Sequence, residues 1–357
     1  MKTLSVRLTG HTYDILIGGG VLQEAGERIA AVHTGRRAFV LTDDNVWGLY
    51  GNRLQAALSG WEWQALVLPH GEHTKSIENY QQTLCRMAQA GLTRSDLLIA
   101  FGGGVIGDLG GFAAATYMRG IRFVQIPTTL LAQVDSAVGG KTAVNLPNGK
   151  NLVGAFHQPT LVLSDPALLH TLPAREQAGG MAEVIKYGAI YSAPLFQTLE
   201  EHPSFAQAAS LLDEIVYTCC DLKRAVVERD EKDTGERMLL NFGHTFGHAI
   251  EQLGEYERFI HGEGVALGMV LAARAGECLG VTPAGTADRL RRLCGAFGLP
   301  VSCPYTASQL QPLMALDKKA VGSEIRLVLL RKIGSAFVKS LEPAAFDRLM
   351  GELERAD

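Results

Sequence analysis

The chain has 357 residues, of which 47% are hydrophobic and 20% are charged, and this composition is typical of a folded globular protein rather than a disordered one. At about 100–200 residues per domain, the length favours two domains. The 33 lysines and arginines against 37 aspartates and glutamates give a net charge of −4, which argues against a protein whose main role is to hold nucleic acid. Glycine is over-represented, at 40 residues, about 11% against a usual ~7%.

The cysteines and the N-terminus indicate a cytoplasmic protein. The six cysteines include no C-x-x-C pair, so we interpret them as reduced thiols rather than a disulfide framework or a zinc knuckle. The first residues lack the apolar segment of a signal peptide. The longest apolar stretch, around Leu97 to Tyr117, is interrupted by Asp108 and by many glycines, and it does not predict a membrane span.

The first half of the chain alternates predicted strands with helices. The strands are predicted at Tyr13–Ile17, Ala38–Thr42, Trp63–Leu68, Leu97–Phe101, Phe123–Ile126 and Leu161–Ser164, and several of them are short, continuous apolar runs. Apolar side chains at spacings of three and four predict an amphipathic helix over Ser76–Ala90. Alternation of this kind predicts an α/β domain with a mostly parallel, Rossmann-like sheet.

After about Leu172 the pattern becomes mainly helical. The predicted helices are Pro173–Ile190, Ala206–Glu228, Leu239–Leu253, Gly262–Leu279 and Ala287–Phe297. The only strands predicted here are Ile325–Leu330 and Ala336–Val338. We therefore expect an α/β domain over residues 1–172 and an all-α-dominated domain over residues 173–357.

A glycine cluster follows the predicted strand Leu97–Phe101. Gly102, Gly104 and Gly107 match G-x-G-x-x-G at a strand-to-helix turn. Without side chains, the backbone N–H groups can approach a pyrophosphate, and the helix N-terminus favours negative charge. The same glycines also suit a tight turn with close packing, so both interpretations stand at this point.

The acidic part of a dinucleotide fingerprint does not occur in its usual place. An acid is expected about twenty residues further on, at the end of the next strand, but Phe123–Ile126 runs into Pro127. An acid does follow an earlier strand, at Asp43 and Asp44. This arrangement favours a dinucleotide site whose topology differs from that of an ordinary Rossmann domain.

A second glycine-containing loop carries lysines. Gly139-Gly140-Lys141-Thr142 resembles the end of a P-loop, but position 135 is Asp where that motif needs glycine. The sequence therefore argues against a nucleotide triphosphatase. Lys141, Lys150 and Asn151 are either solvated polar residues or contacts to an anion.

Histidines and acids cluster in the second half. His244 and His248 are four residues apart and share a helix face, and His261 follows within eighteen residues. With Glu183, two of these histidines would leave an open coordination position, as a catalytic zinc site requires. The pattern does not choose between His248 and His261, and Glu183 with Lys186 also fits a simple surface ion pair.

The motifs taken together resemble the 3-dehydroquinate synthases of the shikimate pathway. The resemblance covers nearly the whole chain, in order and at the right spacing. The segments that carry it are Pro69-His-Gly-Glu72-His-Thr-Lys75, Gly102-Gly-Gly-Val-Ile-Gly-Asp108, Pro127-Thr-Thr129, Asp135-Ser-Ala-Val-Gly-Gly-Lys141, Gly149-Lys-Asn151, Ala182-Glu-Val-Ile-Lys186, Asn241-Phe-Gly-His-Thr-Phe-Gly-His248 and Asp317-Lys-Lys319.

The resemblance implies a carbon–oxygen lyase acting on a phosphate. It would convert 3-deoxy-D-arabino-heptulosonate 7-phosphate into 3-dehydroquinate and phosphate, on the route through chorismate to aromatic amino acids. It also implies NAD, a zinc or cobalt ion and a homodimer, with a small sugar phosphate as the partner rather than nucleic acid or membrane. The competing interpretations are another sugar-phosphate cyclase and a metal-dependent polyol dehydrogenase of related fold.

The resemblance also implies roles for individual residues. The implied metal ligands are Glu183, His244 and His261. The positions implied to hold NAD are Asp43, Asn45, Glu72, Lys75, Gly103, Gly104, Val105, Asp108, Thr128, Thr129, Asp135, Lys141, Lys150 and Thr171. The positions implied to act on substrate are Lys141, Asn151, Lys186, Lys223, Arg237, Asn241, His248, either Lys318 or Lys319, and Arg119, which would reach the neighbouring subunit's site.

Overall fold

A computed structural model describes residues 1–316 and 324–356 of the chain, which divides into two compact units. The first unit comprises Met1–Leu172 and Val216–Lys232. The second comprises Pro173–Ile215 and the described residues from Asp233 onward.

The first unit contains a largely parallel sheet. Its strands are β1 (Lys2–Leu8), β2 (His11–Ile17), β3 (Arg37–Asp43), β4 (Glu62–Leu68), β5 (Leu97–Gly102), β6 (Arg122–Pro127) and β9 (Leu161–Ser164). Among the described residues the strand order of this sheet is β1-β2-β9-β6-β5-β3-β4, and within this sheet only β1 and β2 pair antiparallel. Buried apolar clusters lie against both faces of the central strands. Because both faces are buried, the sequences of those strands are continuous hydrophobic runs. The predicted fold class is confirmed.

Helices cover the sheet of the first unit. They are α1 (Ala25–Val32), α2 (Asp44–Ala57), α3 (Ile77–Gln89) and α4 (Gly104–Thr116). The predicted helix over Ser76–Ala90 corresponds to α3, and the Ser76 hydroxyl accepts a hydrogen bond from Asn79 N at 3.3 Å, which caps the helix.

The sequence patterns missed three strands of the first unit. One is β1, and the other two, β7 (Lys141–Leu146) and β8 (Gly149–Phe156), pair as an antiparallel hairpin. These strands contain lysine, asparagine or glycine and are partly exposed, so their apolar signal is weak.

The second unit is mainly helical, as predicted. Its elements are α5 (Ala174–Tyr191), α6 (Ala193–Glu201), α7 (Phe205–Ala208), α8 (Leu212–Arg229), α9 (His244–Leu253), α10 (His261–Cys278), α11 (Thr286–Ala296), α12 (Ala307–Leu316), β10 (Ile325–Lys332), β11 (Ser335–Leu341) and α13 (Pro343–Ala356), with α8 continuing into the first unit from Val216.

Two predicted helices are divided in the structure. The helix predicted over Ala206–Glu228 is α7 and α8 with a 3-10 turn at Ala209–Leu211 between them. The helix predicted from Leu239 begins as α9 at His244, because Gly243 has a φ of 81°, a left-handed conformation that favours glycine and interrupts a helix.

The predicted assignment of residues 173–357 to one domain needs a correction for Val216–Lys232, which belongs to the first unit. Its contacts explain why. The Cys220 thiol donates to the Gln133 carbonyl at 3.1 Å, and Lys223 Nζ donates to the carbonyl of Asp135 at 2.7 Å. Helical periodicity shows which face of a segment is apolar, but not which core that face joins.

No described helix combines the length and the apolar composition needed to cross a lipid bilayer.

Candidate active site

Three helices of the second unit approach one another through glycines. A Cβ atom on Gly262 would lie 2.1 Å from the carbonyl oxygen of Gly179, so α10 and α5 touch through their backbones. A Cβ atom on Gly268 would lie 2.0 Å from the carbonyl oxygen of Gly243, at the start of α9. Part of the glycine excess therefore serves close helix packing, which brings side chains from α5, α9 and α10 together.

The side chains brought together include a set that fits a divalent cation. Ligand atoms of Glu183, His244 and His261 all lie within 4.8 Å of one another. The Nε2 atom of each histidine is 3.6 Å from Glu183 Oε1. Ligand atoms at about 2.0–2.2 Å from a tetrahedral zinc ion lie about 3.4 Å apart, so this spacing suits zinc or a similar ion.

The remaining ring nitrogens of the two histidines are held by oxygen atoms. His261 Nδ1 lies 3.0 Å from Glu251 Oε1, and His244 Nδ1 lies 3.2 Å from the carbonyl oxygen of Phe242. Such contacts set the tautomer and leave Nε2 for a metal. The sequence analysis missed Glu251, which is only 2% exposed. Its position three residues after His248, on the same helix face, could have identified it as a candidate.

The histidines of this cluster differ in proton affinity. Burial, reinforced by the charge of Lys186, lowers the pKa of His244 to about 3, so its ring is neutral and suits a metal ligand. Burial also opposes protonation of His261, but the carboxylates of Glu183 and Glu251 outweigh it and raise the pKa to about 10.

Lys186 is not part of a surface pair. It is 1% exposed, and its Nζ contacts Glu183 Oε2. Both side chains are buried, so Lys186 and Glu183 form an ion pair inside the protein.

Other predicted substrate residues of the second unit lie on the same elements or close to them in the chain. The His248 ring centroid is 5.5 Å from that of His244 and 6.1 Å from that of His261. Arg237 is buried, and Asn241 ends the 3-10 turn that precedes α9. Lys318 and Lys319 lie outside the described residues.

In the first unit, the predicted NAD residues gather at the carboxyl ends of neighbouring parallel strands. Gly102 ends β5, and its carbonyl accepts a hydrogen bond from Thr128 N at 3.0 Å. Gly103 precedes α4, and a Cβ atom there would lie 3.0 Å from Thr129 Cγ2. Gly103 has no side chain to cap α4, so the N–H groups of the first turn, which includes Gly104 and Val105, suit a pyrophosphate.

The two adjacent acids after β3 have different environments. Asp43 is buried, its Oδ1 accepts from Val46 N at 2.9 Å, and burial raises its pKa. Asp44 lies 2.8 Å from His70 Nδ1 at the surface. The position of Asp43 at the strand end favours it over Asp44 as the predicted ribose contact, with Asn45 following in the first turn of α2.

A polar cluster beside these strand ends joins several predicted residues. Lys75 Nζ contacts Asp108 Oδ2 and Asn151 Oδ1. Burial raises the pKa of Asp108, while the charge of Lys75 opposes that rise. Asn145, which the sequence analysis did not identify, donates to Glu72 Oε1 at 2.7 Å. Glu72, Lys75 and Asn145 help to line a cavity of about 290 Å³.

The other predicted residues of the first unit occupy separate places. Asp135 accepts from Lys223 Nζ through Oδ1 at 2.8 Å. Thr171 Oγ1 lies 2.5 Å from the hydroxyl of Tyr50, so the Thr171 hydroxyl has a hydrogen-bonding partner within the first unit. The remaining ones are Lys141 at the start of β7, Lys150 in β8, and Arg119 after α4.

Comparison with known proteins identifies the family of this chain. The family model described as 3-dehydroquinate synthase N-terminal matches residues 65–179, and the C-terminal one matches residues 180–320. The chain belongs to the 3-dehydroquinate synthase family. A 3-dehydroquinate synthase of Clostridium acetobutylicum is 45% identical over 345 residues, which cover 96% of this chain and 97% of the relative.

Solved structures agree on the fold. A 2-epi-5-epi-valiolone synthase from Streptomyces hygroscopicus with NAD⁺ and Zn²⁺ bound matches with a TM-score of 0.88 and 28% identity, over 98% of this chain and 99% of that one. A 2-deoxy-scyllo-inosose synthase complexed with carbaglucose-6-phosphate, NAD⁺ and Co²⁺ matches with a TM-score of 0.87 and 24% identity, over 98% and 100%. At this identity the second match shows the fold alone.

Proposed function

We propose that this chain is a 3-dehydroquinate synthase, a carbon–oxygen lyase that converts 3-deoxy-D-arabino-heptulosonate 7-phosphate into 3-dehydroquinate and phosphate. The observation that carries the proposal is the Glu183, His244 and His261 cluster, found in a chain 45% identical to a named relative over nearly its whole length. When bound, NAD⁺ supplies a transient hydride acceptor and the divalent cation supplies Lewis acidity, which together make the proton next to the oxidised carbon acidic enough for phosphate to leave.

The two units divide the binding tasks. Residues of the first unit hold NAD, with the start of α4 at the pyrophosphate and Asp43 at a ribose. The cluster of the second unit holds zinc or cobalt. The Glu251 carboxylate orients the His261 ring through Nδ1, and Lys186 Nζ contacts Glu183 Oε2 as a buried counter-charge.

Basic and amide side chains bind the two negative ends of the substrate. We assign the phosphate to Lys141, Asn151, Asn241 and His248, with Lys318 or Lys319 as a further candidate. We assign the carboxylate and ring hydroxyls to Lys186, Lys223 and Arg237, whose guanidinium suits a bidentate carboxylate contact. Such positioning of a flexible sugar contributes roughly 7–11 kcal/mol in well-oriented reactions.

The direct test is an incubation of the protein with the heptulosonate phosphate, NAD⁺ and Zn²⁺. We expect one phosphate released per 3-dehydroquinate, identified by mass, with no net accumulation of NADH because the cofactor is reduced and reoxidised in each cycle. Turnover of a sugar phosphate that lacks a carboxylate, with the heptulosonate left unchanged, indicates another sugar-phosphate cyclase instead. Accumulating NADH with a polyol indicates a dehydrogenase.

We further propose a cytoplasmic homodimer in which Arg119 serves the neighbouring subunit. Arg119 is exposed with a φ of 70°, and the adjacent Met118 is 44% exposed. Subunits carrying Arg119→Ala should regain activity when mixed with subunits carrying Lys186→Ala, up to about a quarter of the wild-type rate if subunits exchange at random and each site needs both residues intact. Phosphate release measured across mixing ratios checks this, and a flat, inactive response contradicts a shared site.

A further inference from the structure

The helix that carries His261 has a defined starting point. α10 begins at His261, and Ile260 precedes it. Glu263 Oε2 accepts a hydrogen bond from Ile260 N at 3.0 Å. An N–H group at a helix start has no partner within the helix, so this contact caps α10 and sets where its first turn lies.

Arg175 holds this cap from another helix. Its Nε donates to Glu263 Oε1 at 2.7 Å, and its Nη2 donates to Glu263 Oε2 at 2.6 Å. The same Nη2 donates to the carbonyl of Arg258 at 2.9 Å, in the loop that leads to α10. Arg175 belongs to the first turn of α5, the helix that also carries Glu183. One guanidinium therefore links the helix of one candidate ligand to the start of the helix of another.

The glycine contact between α5 and α10 cannot fix the alignment of these two helices in the same way. Between His261 and Glu263 lies Gly262, whose backbone rests against Gly179 of α5. A contact between two glycines lets helices approach closely, but it has no side chains that interlock. A bidentate arginine–carboxylate pair has directional geometry, so the Arg175–Glu263 pair supplies the lateral alignment that the glycines lack.

We propose that Arg175 and Glu263 are positioning residues that align the His261 ring with Glu183 and His244 for a divalent cation. The proposal rests on the proposed function only in that the cluster binds such a cation. The Arg175 side chain is 52% exposed and that of Glu263 is 14% exposed, and ion pairs this exposed add little to stability. The effect of the pair should therefore appear in cation binding more than in folding.

The second unit contains a matched control pair. Arg289 Nε and Nη2 donate to the two carboxylate oxygens of Glu200 at 2.6 Å each. This pair has the same bidentate geometry and side-chain exposures of 41% and 31%. It joins α11 to α6, and neither helix carries a residue of the cation cluster. The substitutions Arg175→Ala and Arg289→Ala therefore each remove one bidentate arginine–carboxylate pair, at different places. Arg175→Ala also removes the hydrogen bond to the Arg258 carbonyl.

The experiment measures the Kd of Co²⁺ for metal-free protein and the visible absorption spectrum of the Co²⁺-loaded protein. We expect Arg175→Ala to raise the Kd about tenfold, at the low end of the effect of outer-shell partners on metal affinity, and to alter the spectrum. Arg289→Ala should leave both unchanged, although the two variants should lose similar amounts of thermal stability. Arg175→Lys, which keeps the charge but not the fork, should give an intermediate Kd.

The outcomes separate this proposal from the proposed function. Wild-type protein that does not bind Co²⁺ contradicts the cation site itself. Wild-type protein that binds Co²⁺, together with an Arg175→Ala variant of the same Kd and spectrum, contradicts only the positioning role. If Arg175→Ala does not fold, Glu263→Gln replaces it, since the amide oxygen can still accept from Ile260 N. Unchanged Co²⁺ binding in that variant overturns the proposal equally.

Discussion

The two candidate sites of this protein are built by different means. In the first unit, several of the predicted NAD residues lie at the ends of parallel strands and in the first turn of α4, so hydrogen-bonded backbone brings those residues together. In the second unit, Glu183, His244 and His261 lie on three helices whose spacing depends on glycine contacts. A strand-end site inherits its geometry from the sheet, whereas a site spread over helices depends on each interhelical distance.

The largest effect should come from removing one cation ligand. His261→Ala should abolish metal content and lower phosphate release by about a thousandfold or more, since Lewis-acid stabilisation is worth several kcal/mol. NAD⁺ binding should persist, because the residues predicted to hold NAD belong to the first unit. Metal analysis, phosphate release and NAD⁺ titration on the same preparation check this, and normal turnover without bound metal would reject the ligand assignment.

The next largest effect should come from the strand-end site. Lys75→Met removes the counter-charge of the partly buried Asp108 and should lower the free energy of unfolding by about 3 kcal/mol, with weaker NAD⁺ binding and unchanged metal content. Chemical denaturation measures the free energy of unfolding, and NAD⁺ titration measures the affinity for the cofactor. The double variant Lys75→Met with Asp108→Asn is the control, because it leaves no unpaired charge and should recover much of the stability.

The drop in the free energy of unfolding caused by Lys75→Met should depend on pH. The pKa of Asp108 is raised in the folded protein by burial, so the folded state binds its proton more readily than the unfolded state. Stability linked to this group is present at low pH and is lost as pH rises through the folded pKa. Without Lys75 that pKa rises further, so the destabilisation should shrink in mild acid and grow in mild alkali. The opposite trend in unfolding free energies contradicts this account.

A smaller effect should follow from separating two helices. Gly262→Ala places a methyl group 2.1 Å from the Gly179 carbonyl oxygen, so α5 and α10 must move apart at a cost of about 1–3 kcal/mol. Metal affinity should fall with stability. Gly351→Ala is the matched control, because a Cβ atom on Gly351 in α13 meets nothing within 4 Å and should stabilise the protein by about 0.5–1 kcal/mol. Equal thermal midpoints for the two variants count against helix spacing as the determinant.

The smallest effect should come from the carboxylate behind His261. Glu251→Gln keeps an oxygen that accepts a hydrogen bond from Nδ1 but removes the negative charge, and it should weaken metal binding about tenfold. Competition with a chelator measures the Kd. The same affinity in both proteins would show that the charge of Glu251 plays no part in orienting the ring.

The sequence predicted some elements of these sites better than others. The strands β2, β3, β4, β5, β6 and β9 were predicted within two residues. In β3, β5, β6 and β9 nearly every residue is buried, which produces the continuous apolar runs of strands covered on both faces, whereas β2 and β4 are only partly buried. The exposed hairpin of β7 and β8 was missed, although it carries Lys141, Lys150 and Asn151. Glu251 and Asn145 were also missed, because their partners lie on other elements and no local pattern reports a contact of that kind.

By itself, the sequence determined the alternating strands and helices of the first half, the helices of the second half, and the motifs that mark the family. Each of these depends on neighbours within a few residues of one another along the chain. Only the tertiary structure decided that Val216–Lys232 joins the first unit, that ligand atoms of Glu183, His244 and His261 lie within 4.8 Å of one another, and that Glu251 contacts His261 while Arg175 contacts Glu263. Those outcomes depend on distances between segments far apart in the chain, which are set by packing and by the absence of side chains at a few glycines.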